Sequence, residues 1–320
     1  MTFRIGTLVL ASAFASACGS ANPVPDDANV VADAAIASDA GGEVASDVGA
    51  DAPRQTRYQN AVSVGTLEGV PETSGIVASR AYPGVFWVHN DSGNDAELIA
   101  IDATANVLET MRVDGATNVD WEDIALYQDE ALGDLVYIGD IGDNLARESM
   151  GERSSRGGVM RIYRVVEPDP RASLTRVAAD AFDVRYPARP YDCEAMFADP
   201  ATGDLYFVTK EEMADVFVAR APFVAGATTT LEHVTSFALA SVTAADISND
   251  GARVVVRSYG TIRVFDLGST EPRFAGAFMT PIASPSFGSL AEAICFSADG
   301  YDLYTVSEGD GAHLFHIAWE

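Results

Sequence analysis

Short apolar runs with alternating polar neighbours recur along this chain, each closed by a Gly- or Asp-bearing turn, and few windows space their apolar residues at the 3.6-residue helical period. The pattern predicts strands. One unit repeats: an acidic residue precedes a short apolar segment, a turn follows, and an aromatic-rich strand ends in a polar loop. Its copies begin at Glu72-Thr73-Ser74-Gly75-Ile76, Trp121-Glu122-Asp123-Ile124-Ala125, Cys193-Glu194-Ala195-Met196, Ala245-Asp246-Ile247 and Ala291-Glu292-Ala293-Ile294-Cys295. The spacing is about 50 residues, with about 20 more between the second and third copies. Third strands are expected at Leu98–Asp102, Met160–Val166, Val216–Arg220, Thr261–Leu267 and His313–Trp319, and fourth strands, such as Val107–Val113 and Arg273–Met279, in the first four units. Four short strands per unit of this length predict an all-β fold, a β-propeller. The fifth copy runs out of chain before its fourth strand. Tyr58–Val64, ahead of the first copy, is expected to supply it and so close the ring without an open sheet edge. Five blades follow, with six as the alternative should the long second unit hold another.

The chain ends change the picture. Met1–Arg4 is short and cationic, Ile5–Phe14 is apolar but too short for a permanent span, and Ala15-Ser16-Ala17 places small residues before Cys18. These are the parts of an export signal over residues 1–18. The small residues before Cys18 resemble the bacterial lipobox, which implies a lipid-anchored Cys18, and Gly19 by the same resemblance implies the outer membrane, on its periplasmic or surface side. Cleavage by an ordinary signal peptidase after Ala-x-Ala is the alternative. Residues 19–55 are rich in Ala, Asp, Val and Ser with almost no aromatics, and read as a disordered tether. Residues 56–320 are long enough for one large core.

Net charge is −27, and Lys210 is the single lysine. So acidic a surface repels phosphate backbones and argues against nucleic-acid binding, while it attracts cations. A monomer touching the membrane only through its lipid is expected. Cys193 and Cys295 fall on non-adjacent units, so two free buried thiols are expected rather than a disulfide.

Candidate chemistry gathers at one mouth of the ring, where the innermost strands begin and the loops between second and third strands turn. Glu122, Glu194 and Glu292 share one offset, two residues before a buried Ile or Met, and so point to equivalent places. With Asp246 they are candidate ligands of a hard cation, Ca²⁺ or Mg²⁺. Merely accepting backbone hydrogen bonds that hold the blades in register is the structural alternative. Loops contribute Asp91, Asp140, Asp143, Asn144, Tyr259 and Glu308 as candidate ligand-binding residues, with Lys210 as a compact ammonium and Arg257 beside it. Trp121 is a candidate stacking platform, and Arg147, a further candidate ligand-binding residue, lies with Arg153 and Arg156 in a Gly- and Ser-containing insertion read as a basic flap or an ordinary solvated loop. No Gly-x-Ser-x-Gly elbow, zinc spacing or phosphate-cradling loop is present.

The segments His89-Asn90-Asp91-Ser92-Gly93-Asn94, Asp120-Trp121-Glu122-Asp123-Ile124-Ala125 and Gly139-Asp140-Ile141-Gly142-Asp143-Asn144 resemble those of a family of secreted bacterial propeller proteins without assigned activity. More distantly, Glu292-Ala293-Ile294 with Asp299-Gly300 and Leu303-Tyr304 is similar to repeats of phytase-like esterase, NHL and lactonase propellers. That wider resemblance concerns the blade rather than a reaction. Two functions are therefore expected. The first is a cation-holding module that binds a small polar ligand, a glycan or a partner protein. The alternative is a metal-dependent hydrolase of phosphoesters, esters or lactones, with Glu122, Glu194 or Glu292 as metal ligand or base and Lys210 or Arg257 steadying the anion.

Overall fold

The computed structural model of the chain describes residues 58–143, 159–267 and 291–320, and the backbone of 278–282. Cys18, the tether, Asn144, Arg147, Arg153, Arg156 and the first residues of the expected Arg273–Met279 strand lie outside the described residues. The described chain is all-β, without a helix.

Strand β1 (Val62–Leu67) is followed by an antiparallel meander of β2 (Thr73–Ala78), β3 (Val85–Asn90), β4 (Glu97–Asp102) and β5 (Val107–Asp114). A second meander comprises β6 (Trp121–Asp129), β7 (Gly133–Asp140), β8 (Val159–Val166) and β9 (Arg176–Arg185). The next comprises β10 (Cys193–Ala198), β11 (Leu205–Thr209) and β12 (Ala214–Ala219), then, past the short β13 (Thr228–Thr230), β14 (Glu232–Phe237). Strands β15 (Val242–Ile247), β16 (Arg253–Ser258), β17 (Ile262–Asp266) and β18 (Phe278–Ile282) form another, and β19 (Ala291–Phe296), β20 (Leu303–Ser307) and β21 (Ala312–Ile317) the last.

The last meander takes its fourth strand from the N-terminal side, as expected: β1 pairs antiparallel with β21, extended by a bridge between Tyr58 and Trp319. One linkage is not visible in the sequence. The outer strand β9 runs parallel to β5 over Arg176–Ala178 and to β13 over Asp183–Arg185, joining β2–β5 and β6–β9 into one sheet whose end strands, β2 and β6, pack side by side.

The strands differ by depth. First and second strands are buried along nearly their whole length and carry small, β-branched and aromatic residues, whereas β5 and β9 mix exposed and buried positions and β14 has only exposed and half-buried ones. The innermost strands pack in the order β2, β6, β10, β15, β19, and β19 returns to β2. Part of the acidic composition serves turns. Asp102 Oδ1 accepts the amides of Thr104 and Asn106 at 2.8 and 3.0 Å, and Asp250 Oδ1 accepts the Ala252 amide at 3.0 Å. Among the described residues, Cys193 and Cys295 are buried free thiols.

Candidate functional site

Each innermost strand skips one residue near its start when it pairs with its neighbour. The skipped residues are Ser74, Glu122, Glu194, Thr243 and Glu292. A bulge at this point re-aims a side chain out of the pleat's alternation. The five side chains thus share one register at one end of the ring. Glu122, Glu194 and Glu292 hold equivalent places, as their common offset predicts, but among the described residues only Glu122 belongs to a group of acids whose ligand atoms lie close enough to share an ion. In the other two units the position holds hydroxyls: Ser74 Oγ donates to Glu122 Oε2 at 3.3 Å, and Thr243 Oγ1 to the carbonyls of Ala291 and Glu292 at 2.9 and 3.1 Å.

Sequence alignment of the units therefore misplaces two acids. Asp246 lies three residues beyond the skipped Thr243, and its oxygens accept the amides of Ile247 and Phe296, both at 2.8 Å. It ties β15 to β19 and is not a ligand at the mouth. Glu72 lies two residues ahead of Ser74, outside the skipped position, and accepts the Asn94 side-chain amide. The missed hydroxyls carry no charge to mark them; their signal is a polar residue next to a strand's first paired position.

On the side formed by β2 and β6, ligand oxygens of Asp91, Asp120 and Glu122 all lie within 4.8 Å of one another. The Asp91 amide donates to the Glu72 carbonyl at 2.7 Å, which anchors the loop after β3. Asp140 is buried behind the site, where its Oδ1 accepts the Asp120 amide at 3.1 Å, and Asp143 bonds Asp192 through its amide at 3.0 Å. Gly142 closes this side from above. A Cβ there would stand 2.0 Å from Glu122 Oε1 and 2.6 Å from Asp120 Oδ2, so only glycine leaves both carboxylates in place. Burial, and then the charges of Glu194, Asp91 and Asp120, push the Glu122 carboxyl well up. Asp91 is pushed up by burial too.

On the opposite side the ring carries its own cation. The Lys210 ammonium pairs with Glu194 and lies 4.9 Å from the centre of the Tyr259 ring. Glu194 is raised by burial against the pull of Lys210, while Lys210 is raised by Glu194 in spite of burial. Tyr259 is pushed up to about 12, mainly by burial. Arg257 is fully buried, donates to Thr305 Oγ1 at 2.8 Å, and is lowered to about 10 by burial in opposition to Glu292. Burial, then Glu308 charge, raises Glu292 to about 8. Glu308 stands at the rim with its carboxyl raised by burial and by Asp91.

Trp121 is corrected. Its side chain is fully buried, bonds the Thr117 carbonyl at 3.2 Å, and packs on the rings of His89 and Tyr163. Its neighbour Glu122 is the residue the bulge turns to the mouth, while Trp121 pairs with Asp140 and faces the core. Neither protein-family models nor curated proteins match the chain, so the chemistry of the site carries the functional reading.

Proposed function

We propose that this chain is a five-bladed β-propeller, exported and lipid-anchored to the outer membrane through Cys18, which holds Ca²⁺ or Mg²⁺ at one mouth and there binds a small polar ligand, a glycan or a partner protein. The five meanders with their cyclic contact among innermost strands support the blade count. One observation carries the function: Asp91, Asp120 and Glu122 converge within 4.8 Å on the side of the ring that lacks the lysine. Three hard carboxylate donors suit these cations, and a bound dication reverses the repulsion that otherwise keeps such carboxyls protonated. Gly142 provides the space. Asp91 and Glu308 at the rim, with Tyr259 and Lys210 opposite, would meet a ligand seated on the cation.

Calorimetric titration of the full chain with Ca²⁺ and with Mg²⁺ tests the reading. One bound cation and a raised melting temperature are expected, both lost in Asp91→Asn and Glu122→Gln. An absence of heat and of any melting shift in the unaltered chain overturns it.

The hydrolase reading has one observation in its favour: Glu292, raised to about 8, is a carboxyl that can hold a transferable proton at neutral pH beside Arg257 and Lys210. Turnover of a phosphoester, ester or lactone panel, abolished by Glu292→Gln with cation binding intact, would establish it. Cation binding without turnover on the whole panel leaves the binding module.

A further inference from the structure

At the opposite end of the strands, two neighbouring junctions between meanders are filled in opposite ways. Counting from the skipped residues, Ile247, Phe296 and Ala78 are equivalent, as are their partners Val254, Leu303 and Phe86. It follows that Arg253, Asp302 and Val85 hold one position, Tyr301 corresponds to Gly84, and Trp319 to Ala103.

Between β15–β18 and β19–β21, Arg253 fills this place. Its guanidinium lies 5.5, 5.3 and 4.6 Å from the ring centres of Phe296, Tyr301 and Trp319, and donates to the Gly300 carbonyl at 2.7 Å. Between β19–β21 and β2–β5, the three rings become Ala78, Gly84 and Ala103, and the arginine becomes Asp302. All four line a cleft of about 300 Å³.

The cleft has inverted polarity. Asp302 accepts the Trp319 amide at 2.9 Å and meets His316 Nε2 at 2.7 Å, one contact on each oxygen, so each retains a lone pair. Exposed Asp299 adds a second carboxylate. Phe86 and Tyr304, with ring centres 4.5 Å apart, form an aromatic wall. What the neighbouring junction receives from its own chain, this one lacks.

We propose that the cleft binds the guanidinium group of a ligand, with Asp302 and Asp299 pairing with its N–H groups and Phe86 and Tyr304 flanking its alkyl stem. A planar fork matches a carboxylate in two places at once, and the net charge of −27 draws cations to the surface. The group belongs either to a free guanidino compound or to an arginine side chain of a peptide. This site is independent of the carboxylates at the other mouth.

The test is calorimetry on the full chain at low salt with EDTA present, using ethylguanidinium, its neutral isostere ethylurea, and the peptide acetyl-Gly-Arg-Gly-amide. Ethylguanidinium should bind in the millimolar range and ethylurea about tenfold more weakly or worse. Asp299→Asn, an exposed change, should weaken binding, and Ala103→Trp, which restores the ring that Trp319 supplies next door, should abolish it with the melting temperature retained. Peptide binding equal to that of ethylguanidinium assigns the cleft to a partner's arginine; exclusion of the peptide assigns it to a free compound. No heat from ethylguanidinium, equal binding of ethylurea, or binding that survives Ala103→Trp in a folded chain overturns the proposal.

Discussion

Asp123 Oδ2 accepts the backbone amide of Ala245 at 3.1 Å, from a strand 122 positions further along the chain. The same oxygen accepts the Met196 amide at 2.8 Å, and Oδ1 accepts that of Ile124 at 2.9 Å. One buried carboxylate thereby joins β6, β10 and β15. Replacing it by Ala leaves three buried N–H groups without an acceptor and should cost at least about 3 kcal/mol, read from urea unfolding. Asp123→Asn retains one accepting oxygen and should cost less. A change within a few tenths of a kcal/mol for the alanine variant would show that these strands are held by packing alone.

Lys210 and Glu194 form a pair with side-chain exposures of 10% and 3%. Lys210→Met should destabilise by about 3–5 kcal/mol because a buried carboxyl loses its counter-ion. Combining it with Glu194→Gln should recover most of that loss. Additive effects in the double-mutant cycle would mean that the two groups do not interact.

Stability should depend on pH through two groups of opposite sign. Glu292 is raised from 4.5 to about 8, so its contribution is full below pH 4.5 and is lost as pH rises to 8, where the folded state still holds a proton the unfolded chain has released. His89, fully buried and lowered from 6.5 to about 4, contributes fully above pH 6.5 and loses its contribution as pH falls to 4. In EDTA, Glu292→Gln should gain stability relative to the unaltered chain progressively from pH 4.5 to 8. A pH-independent difference in urea midpoint would contradict this.

Gly142→Ala tests the proposed cation site by sterics alone. The added methyl must displace the flexible ends of Glu122 and Asp120. Cation affinity should fall by about tenfold or more while stability changes by about 1 kcal/mol or less. Unchanged affinity would separate these two carboxylates from the cation.

Much of the fold was legible because its units repeat. The alternation of apolar and polar residues, the Asp and Gly turns and the common offset of Glu122, Glu194 and Glu292 are local properties, and a strand's faces follow from its own sequence. The N-terminal strand that completes the last meander was also legible, because a meander short of one strand leaves an edge to be covered.

The limits appear where identity and position part company. Asp246 looks like its neighbours in sequence, yet the bulge lies three residues earlier at Thr243, where no acid stands, and a one-residue skip in pairing is set by contacts between strands. Trp121 and Glu122 are adjacent, and only the register at β7 sends the first to the core and the second to the mouth. The parallel pairing of β9 with β5 and β13, the meeting of Asp91 with Asp120 and Glu122, and the cleft left by Ala78, Gly84 and Ala103 join residues far apart in the chain. The sequence by itself determined that the chain is a repetitive all-β protein with acids clustered at strand starts. Which acids converge, which tie backbones together and which junction stays open was decided by the tertiary structure, because each depends on the distance between residues that share no local pattern.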